Sequence, residues 1–403
     1  MSSTYTYRVR DFKGNQLSGK IEGDNATMVS AKLRQMGYIV IDLKEQGIAQ
    51  KEITLPFGNR VKLKDLTVFS RQFATMINAG LSLTRCLSVL SDQTESKALS
   101  KIIGELLKDV EQGKSLSESM AKHQAAFPPI FINMVKAGET GGALDEVLMR
   151  VAEHFEKETG IRSKIKSAMA YPMAMFSFSI LITFVLITFI VPIFVNMFST
   201  MGGSLPLPTK ILLMLSNFIN GAWFIIIPAL FGLFYLFKLY GKTTNGRERI
   251  DSVKLVLPVL GMLTKKMAVS RFSRTLSTLM SSGVPILSAL DIVADSAGNA
   301  VIANTVRGAR SSIKDGETIA KPLSEGTVFP PMVVQMISIG EETGALDEML
   351  GKIADFYDRE VEATVDALTS IIEPLMIVVM GVLIGGIIVS LYMPMFQIIS
   401  LIK

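Results

Sequence analysis

Residues 127–158 read FPPIFINMVKAGETGGALDEVLMRVAEHFEKE, and residues 329–360 read FPPMVVQMISIGEETGALDEMLGKIADFYDRE. Phe127 aligns with Phe329, Gly138 with Gly340, Glu139 with Glu341, Leu144 with Leu346 and Asp145 with Asp347. The same offset carries Pro172 onto Pro374 and Pro192 onto Pro394. Upstream it lengthens by one residue, where FSRQFATMINAGL from Phe69 matches FSRTLSTLMSSGV from Phe272. A match this long means one structural unit made twice. The apolar spacing says which kind. Leu66, Phe69, Phe73 and Met76 fall at helical intervals and Gly80 suits the stop. Ser82 can cap a following helix with Leu83, Leu87 and Leu90 on one face, and the second copy places Pro285 there, suited to a first helical turn. After turns expected at Gly138-Glu139 and Gly340-Glu341, Leu144, Leu148, Val151 and Phe155 form a stripe mirrored by Leu346, Leu350, Ile353 and Tyr357. Both stripes read as core. Two homologous helical-bundle domains are expected, at 62–168 and 264–370.

Each copy runs into an apolar segment. Charges are absent between Lys166 and Lys210, between Lys210 and Lys238, and between Glu373 and Lys403. The gaps hold Met173 to Phe198, about Phe218 to Phe237, and Leu375 to about Phe396. A spanning helix needs about 20 apolar residues. The expected spans are 171–198, 215–238 and 374–397, the second being weakest because Asn217, Asn220 and Pro228 border or interrupt it. Of the 41 Lys and Arg residues, all but Lys210 and Lys403 lie in residues 1–170 or 238–372. The positive-inside rule therefore puts both bundles and the connector 239–263 in the cytoplasm, with the loop 199–210 and the tail 398–403 outside. A pI of about 9.1 suits cytoplasmic faces lying against anionic membrane lipid. No basic run is interleaved with aromatics, so nucleic acid is not an expected partner.

Composition agrees. In 403 residues 49% are hydrophobic and 19% charged, against about 25% charged in a soluble domain. Residues 1–45 differ from the rest: YTYRVRD, a Gly14-Asn15 turn and LSGKIEG suggest a hairpin, Ala31 to Met36 a short helix, and YIVIDL a third strand. This is a small α+β segment, followed by a linker at 46–61. The opening residues lack a basic-then-apolar pattern, so no cleavable signal peptide is expected. The fold class is thus mainly α: an integral membrane protein with two cytoplasmic bundles, three transmembrane helices and a small N-terminal α+β segment.

Catalytic chemistry is hard to find. Cys86 is the single cysteine, and His123 and His154 are the two histidines, which leaves no disulfide, no cysteine zinc site and little for a histidine metal centre. Gly113-Lys114-Ser115 is the one nucleotide-like fragment, but Lys108 stands where a phosphate loop needs glycine, and the second copy reads Gly316-Glu317-Thr318. A helix-ending glycine with a capping Ser115 is the better reading. No ionisable residue lies inside a span, which disfavours a pump or intramembrane protease. No catalytic, cofactor-binding or metal residue is expected. Five carboxylates remain as interaction candidates: Glu139, Asp145, Glu341, Asp347 and Glu373. The first four sit at helix starts, where they complement the dipole, or they contact a partner or a weak divalent-cation site. Glu373, before Pro374 at the membrane entrance, sits among headgroups or faces another helix or a passing substrate. Gly381 and Gly385 form a G-x-x-x-G in the third span, a helix-packing pattern.

The duplicated F-P-P…G-E…G-x-L-D blocks, FSRQFATMINAGL, the Leu-Pro-Leu-Pro-Thr at 205–209 and the paired span prolines resemble the inner-membrane platform family of type IV pili and type II secretion. The likeness covers essentially residues 5–400. It implies a non-enzymatic, homo-oligomeric platform in the bacterial cytoplasmic membrane. It also implies coupling of a separate cytoplasmic pilus-assembly ATPase to extraction of pilin subunits, among other inner-membrane components. The ending SLYMPMFQIISLIK resembles the pilus branch more than the secretion branch. The rivals are a secretion platform, a transporter with broken midplane helices, and a membrane-tethered signalling adaptor.

Overall fold

The computed structural model of the chain describes residues 3–10, 16–23, 25–45, 61–200, 206–258, 260–326 and 328–401. They fall into two compact units, 1–60 and 61–403.

The first unit is a sheet and a helix. Strands β1 (Ser3–Arg10) and β2 (Gln16–Gly23) pair antiparallel with Tyr5 opposite Ile21 and Val9 opposite Leu17. After α1 (Ala26–Gln35), β3 (Ile39–Glu45) pairs antiparallel with the other side of β1, giving the order β2-β1-β3. Asn25 caps α1 by accepting the Thr27 N–H at 2.7 Å. Val29 and Leu33, four residues apart, bury against Tyr5 and Val9. The expected turn at Gly14-Asn15 and nearly all of the linker 46–61 lie outside the described residues.

The second unit is helical throughout its described elements. Its first repeat comprises α2 (Leu63–Asn78), α3 (Leu83–Gln93), α4 (Lys97–Glu111), α5 (Leu116–Ala121), α6 (Pro129–Gly141) and the long α7 (Leu144–Val185). A π-helical turn, Leu186–Ile190, then leads into α8 (Val191–Thr200). Helices α9 (Leu207–Tyr240) and α10 (Thr244–Val256) follow. The second repeat then runs α11 (Leu260–Ser281), α12 (Ile286–Ser296), α13 (Ala300–Lys314), α14 (Ala320–Glu325), α15 (Pro331–Thr343) and α16 (Leu346–Leu401). Helix for helix, α2–α7 and α11–α16 correspond in number and order.

The local punctuation is mostly where the sequence puts it. Gly80 and its counterpart Gly283 end α2 and α11 at φ +84° and +79°. Ser82 occupies the N-cap of α3 but its hydroxyl makes no capping bond. Pro285 sits at the N-cap of α12, one residue before the first turn. The Gly-Glu pairs are not turns: Gly138 and Glu139 lie inside α6, Gly340 and Glu341 inside α15. The reversals come at Gly142 and Gly344, with φ +69° and +70°, a conformation that favours glycine. Gly138 and Gly340 are instead close-packing positions, where a Cβ would stand 3.0 Å from Val147 Cβ or Leu346 Cα.

In each copy one helix carries the chain from the bundle into the apolar segment, with the π-helical turn Leu186–Ile190 falling inside the first segment. α7 runs through Pro172, and α16 through both Pro374 and Pro394. Pro374 therefore does not start a helix. Leu144–Phe194 and Leu346–Pro394 are long and apolar enough to cross a membrane, and α9 carries a shorter apolar stretch, Pro228–Tyr240. The paired prolines explain how α9 is held. Proline has no N–H, so Pro394 orphans the carbonyl of Ser390 four residues earlier, and Pro192 follows a π-helical turn in which the Thr188 carbonyl also accepts from outside the helix. Both are met from α9: Asn220 Nδ2 donates to Thr188 O at 3.4 Å, and the buried Thr209 hydroxyl donates to Ser390 O. Asn220 thus does not interrupt α9 but ties it to the first apolar helix. Gly381 and Gly385 have no neighbouring atom within 4 Å of a would-be Cβ, so they pack against no helix among the described residues.

Candidate functional site

The features that set the two repeats apart meet along their seam. α7 and α16 lie parallel and nearly in register. Lys164 Nζ reaches Glu362 at 3.0 Å and Asp366 at 3.6 Å. Tyr171 and Pro172 share a small gap with Glu373, Met376 and Ile377. Further along, Ile187 and Val191 cluster with Ile387 and Leu391. Above this paired stem, α11 leans onto α6 and α7 of the first repeat, whereas α2 makes no comparable contact with α15 or α16 among the described residues.

Between the bundles is a cavity of about 230 Å³, lined by Ile130, His154, Glu158, Arg271, Arg274 and Asp358 with other side chains. Arg274 pairs with Asp358, and with Asp355 at 2.8 Å. The Ser270 hydroxyl donates to the other Asp358 oxygen. Arg271 reaches Glu158 at 3.8 Å, and Glu158 also holds Arg162 at 2.6 Å. His154 is only 7% exposed, and its Nδ1 has no partner among the described residues. Burial pushes its pKa down to about 4. The Arg274 and Arg271 charges add to that and Glu158 and Asp358 oppose it. Burial also lowers the pKa of Arg271. The result is a neutral imidazole surrounded by paired charges, which fixes one repeat against the other.

The candidate carboxylates lie elsewhere. Glu139 reaches from α6 to the start of α5, where its carboxylate accepts the N–H groups of Leu116 at 2.5 Å and Ser117 at 3.1 Å, and the Ser117 hydroxyl. Glu341 does the same for Ile319 at 2.6 Å and Ala320 at 3.2 Å. These are charge-assisted bonds to backbone donors at a helix start, so both glutamates are committed inside their bundles. Asp145 and Asp347 stand in the first turns of α7 and α16, favourable to the dipole, beside Glu146–Arg150 and Glu348–Lys352 pairs. Glu373 is exposed, and no ion pair holds it among the described residues. The structure therefore does not gather the five. No group of three His, Cys, Asp or Glu side chains among the described residues can hold a metal ion. Lys114 pairs with Asp109 at 2.5 Å while Ser115 caps α5 by accepting the Glu118 N–H. The hydrogen bonds from Lys114 and Lys122 hold the Asp109 carboxyl down at about 2.

The family model described as type II secretion system protein F matches twice, at residues 69–192 and 272–394, and the model of that protein's N-terminal domain matches residues 1–44. The chain belongs to the type II secretion system protein F family. It is 43% identical over 399 residues to the type IV pilus assembly protein PilC of Thermus thermophilus, covering 98% of each. The protein of the same description from Myxococcus xanthus is 38% identical over 98% of this chain and 95% of its own. The type II secretion system protein F of Vibrio cholerae is 31% identical, covering 98% of each. The two matched segments of this family domain each take in one bundle and its apolar helix, and so bracket the seam.

Sequence reading passed over the seam residues. Arg71 and Arg274 occupy equivalent positions, as do Glu156 and Asp358. An arginine and an acid kept in both copies were the available signal. The first-repeat pair does form, with Arg71 held by both Glu156 oxygens. His154 carried no such signal, because its counterpart is Phe356.

Proposed function

We propose that this chain is the inner-membrane platform of a type IV pilus assembly machine, coupling a separate cytoplasmic ATPase to extraction of pilin subunits and their polymerisation. The observation that carries the reading is a long helix in each repeat, α7 and α16, that runs from the bundle into an apolar segment. Such a helix passes movement of a bundle directly to the bilayer. The pilus branch is favoured by relatives at 43% and 38% identity that bear pilus-assembly descriptions, against 31% for the secretion protein. A platform of a type II secretion machine is the second reading, and that 31% relative supports it.

In this proposal the domains are those read from the sequence. The bundles 62–168 and 264–370 are cytoplasmic, the spans are 171–198, 215–238 and 374–397, and the N-terminus is inside. The Asn220 and Thr209 bonds support α9 as the second span, because polar side chains that satisfy helix carbonyls suit a bilayer interior. Partners are the ATPase, pilins, other inner-membrane components, lipid and further copies of the chain. Of the candidate residues, Glu373 is best placed to meet a partner, and no enzymatic role is assigned to any. Two experiments test this. A tagged chain should retain the pilus ATPase through purification, and failure to do so under conditions that preserve the membrane complex contradicts the coupling. In a Cys86-free background, a cysteine at Ser204 should react with an impermeant maleimide on intact cells and one at Ser312 should not. Labelling at Ser312 contradicts the topology.

A further inference from the structure

The contact between the repeats is used once and left open at both ends. The first repeat offers a socket, Ile130, His154 and Glu158 on α6 and α7, filled by Met267, Arg271 and Arg274 of α11. The matching socket on the second repeat is Met332, Phe356 and Glu360, and the matching plug on the first is Lys64, Val68 and Arg71. Neither is filled. Phe356 is 39% exposed, Met332 44% and Val68 48%, whereas Ile130 and His154 are buried. A stacked array normally ends in a polar capping face, yet here the outer face of the second repeat is apolar, Ile339 included.

The chemistry of plug and socket changes together. Within the chain, Arg271 comes to the side of His154 and Glu158. At the free positions the arginine is replaced by Val68 and the histidine by Phe356, while Lys64 replaces Met267 on the same side of the plug and Glu360 keeps the carboxylate, held at 2.8 Å by Lys266 of its own repeat. A polar pair has become an apolar pair, with a cation and a carboxylate at its edge. We propose that the second repeat of one copy binds the first repeat of another through this surface, in the way the two repeats bind each other within the chain. Such a contact is heterologous, so it continues from copy to copy rather than ending at a dimer. Because α7 and α16 run parallel, the series lies in the plane of the bilayer, a point that rests on the membrane reading above.

The test uses the full chain in a Cys86→Ala background, alanine being the residue the second repeat carries at that position, Ala289. Two differently tagged copies are co-expressed, one with Val68→Cys and one with Phe356→Cys, purified together in mild detergent and treated with a short bismaleimide. The expected product is a mixed dimer carrying both tags, lost when either cysteine is omitted. As a second readout, Phe356→Asp should lower the mass of the uncross-linked complex in light scattering, and the exposed control Lys101→Asp should not. A Val68–Val68 product as abundant as the mixed one would show symmetric pairing and overturn the proposal. Monomer alone, or the Phe356 copy captured solely by another protein, overturns it too. None of these readouts depends on piliation, so the proposal can fail while the platform reading stands, and the reverse.

Discussion

The two bundles share one helix order but not one interior. The first packs Phe69, Phe73, Phe127, Phe131 and Phe155 into a chain of rings with centroids 5.3–6.3 Å apart. The second keeps Phe272 and Phe329 at 4.9 Å but has Leu276, Val333 and Tyr357 at the other three positions. The shared arginine–acid pair differs in the opposite sense. Arg71 and Glu156 have side chains 34% and 41% exposed, while Arg274 and Asp358 are at 19% and 13%. Duplication preserved the frame, and burial then assigned each copy its own energetics: the first rests on aromatic packing, the second on a charge network closed by its neighbour.

The sharpest contrast should come from the cores. Phe131→Ala should cost about 3–5 kcal/mol, and Val333→Ala at the equivalent position clearly less, because fewer buried atoms are removed. Urea unfolding followed in the detergent-solubilised protein measures both, and equal losses would mean the aromatic chain adds nothing particular. The ion pairs should invert that order. Arg274→Ala leaves Asp358 buried and is expected to cost about 3 kcal/mol. Arg71→Ala breaks an exposed, solvent-screened pair and should cost under about 1 kcal/mol. Comparable effects in thermal unfolding would contradict the assignment of the second pair to the seam.

His154 gives the seam a pH signature. Its ordinary pKa is about 6.5 and its folded value about 4. The unfolded chain therefore binds the proton first as pH falls. The stability contributed by a neutral His154 is complete above about pH 6.5 and is lost on the way down to about pH 4, by up to about 3 kcal/mol. His154→Phe, the residue of the second repeat, should flatten that part of the pH profile. An unchanged slope would move the acid sensitivity to other groups.

Between the copies, Glu139 and Glu341 should behave alike. Either one changed to alanine strands two backbone N–H groups and should cost about 1–3 kcal/mol, with hydrogen exchange accelerating first at Leu116–Ser117 or Ile319–Ala320. The smallest structural effect is expected at the membrane boundary, where Tyr171 faces Glu373 across the stem. Glu373→Gln should leave protein level and melting unchanged while lowering surface pili. Normal piliation at normal protein level would reduce Glu373 to a marker of the boundary.

Which parts were legible follows from how local their causes are. The stripe from Leu144 to Phe155 and the stops at Gly80 and Gly283 announce themselves because spacing and backbone preference act within a few residues. Glu139 is illegible for the opposite reason, because its partner is not local. A glycine beside it looked like punctuation, while the left-handed residue was Gly142 and the carboxylate bonded α5, far back in the chain. Pro374 opens the span 374–397 expected from composition, yet α16 runs through it from the bundle. The seam left least trace. Arg71 and Arg274 are the same residue at the same repeat position, and only the packing of one bundle on the other makes the second costly to remove.

The platform reading is tested most directly by deleting the gene, restoring it from a plasmid, and counting surface pili by electron microscopy. Quantitative immunoblots should follow the protein in the membrane fraction of the same cells. Deletion should leave bald cells with pilin retained in the inner membrane, and the wild-type chain should restore pili. Full piliation in the deletion strain would contradict the platform reading, and full piliation together with lost protein secretion would transfer the chain to the secretion branch.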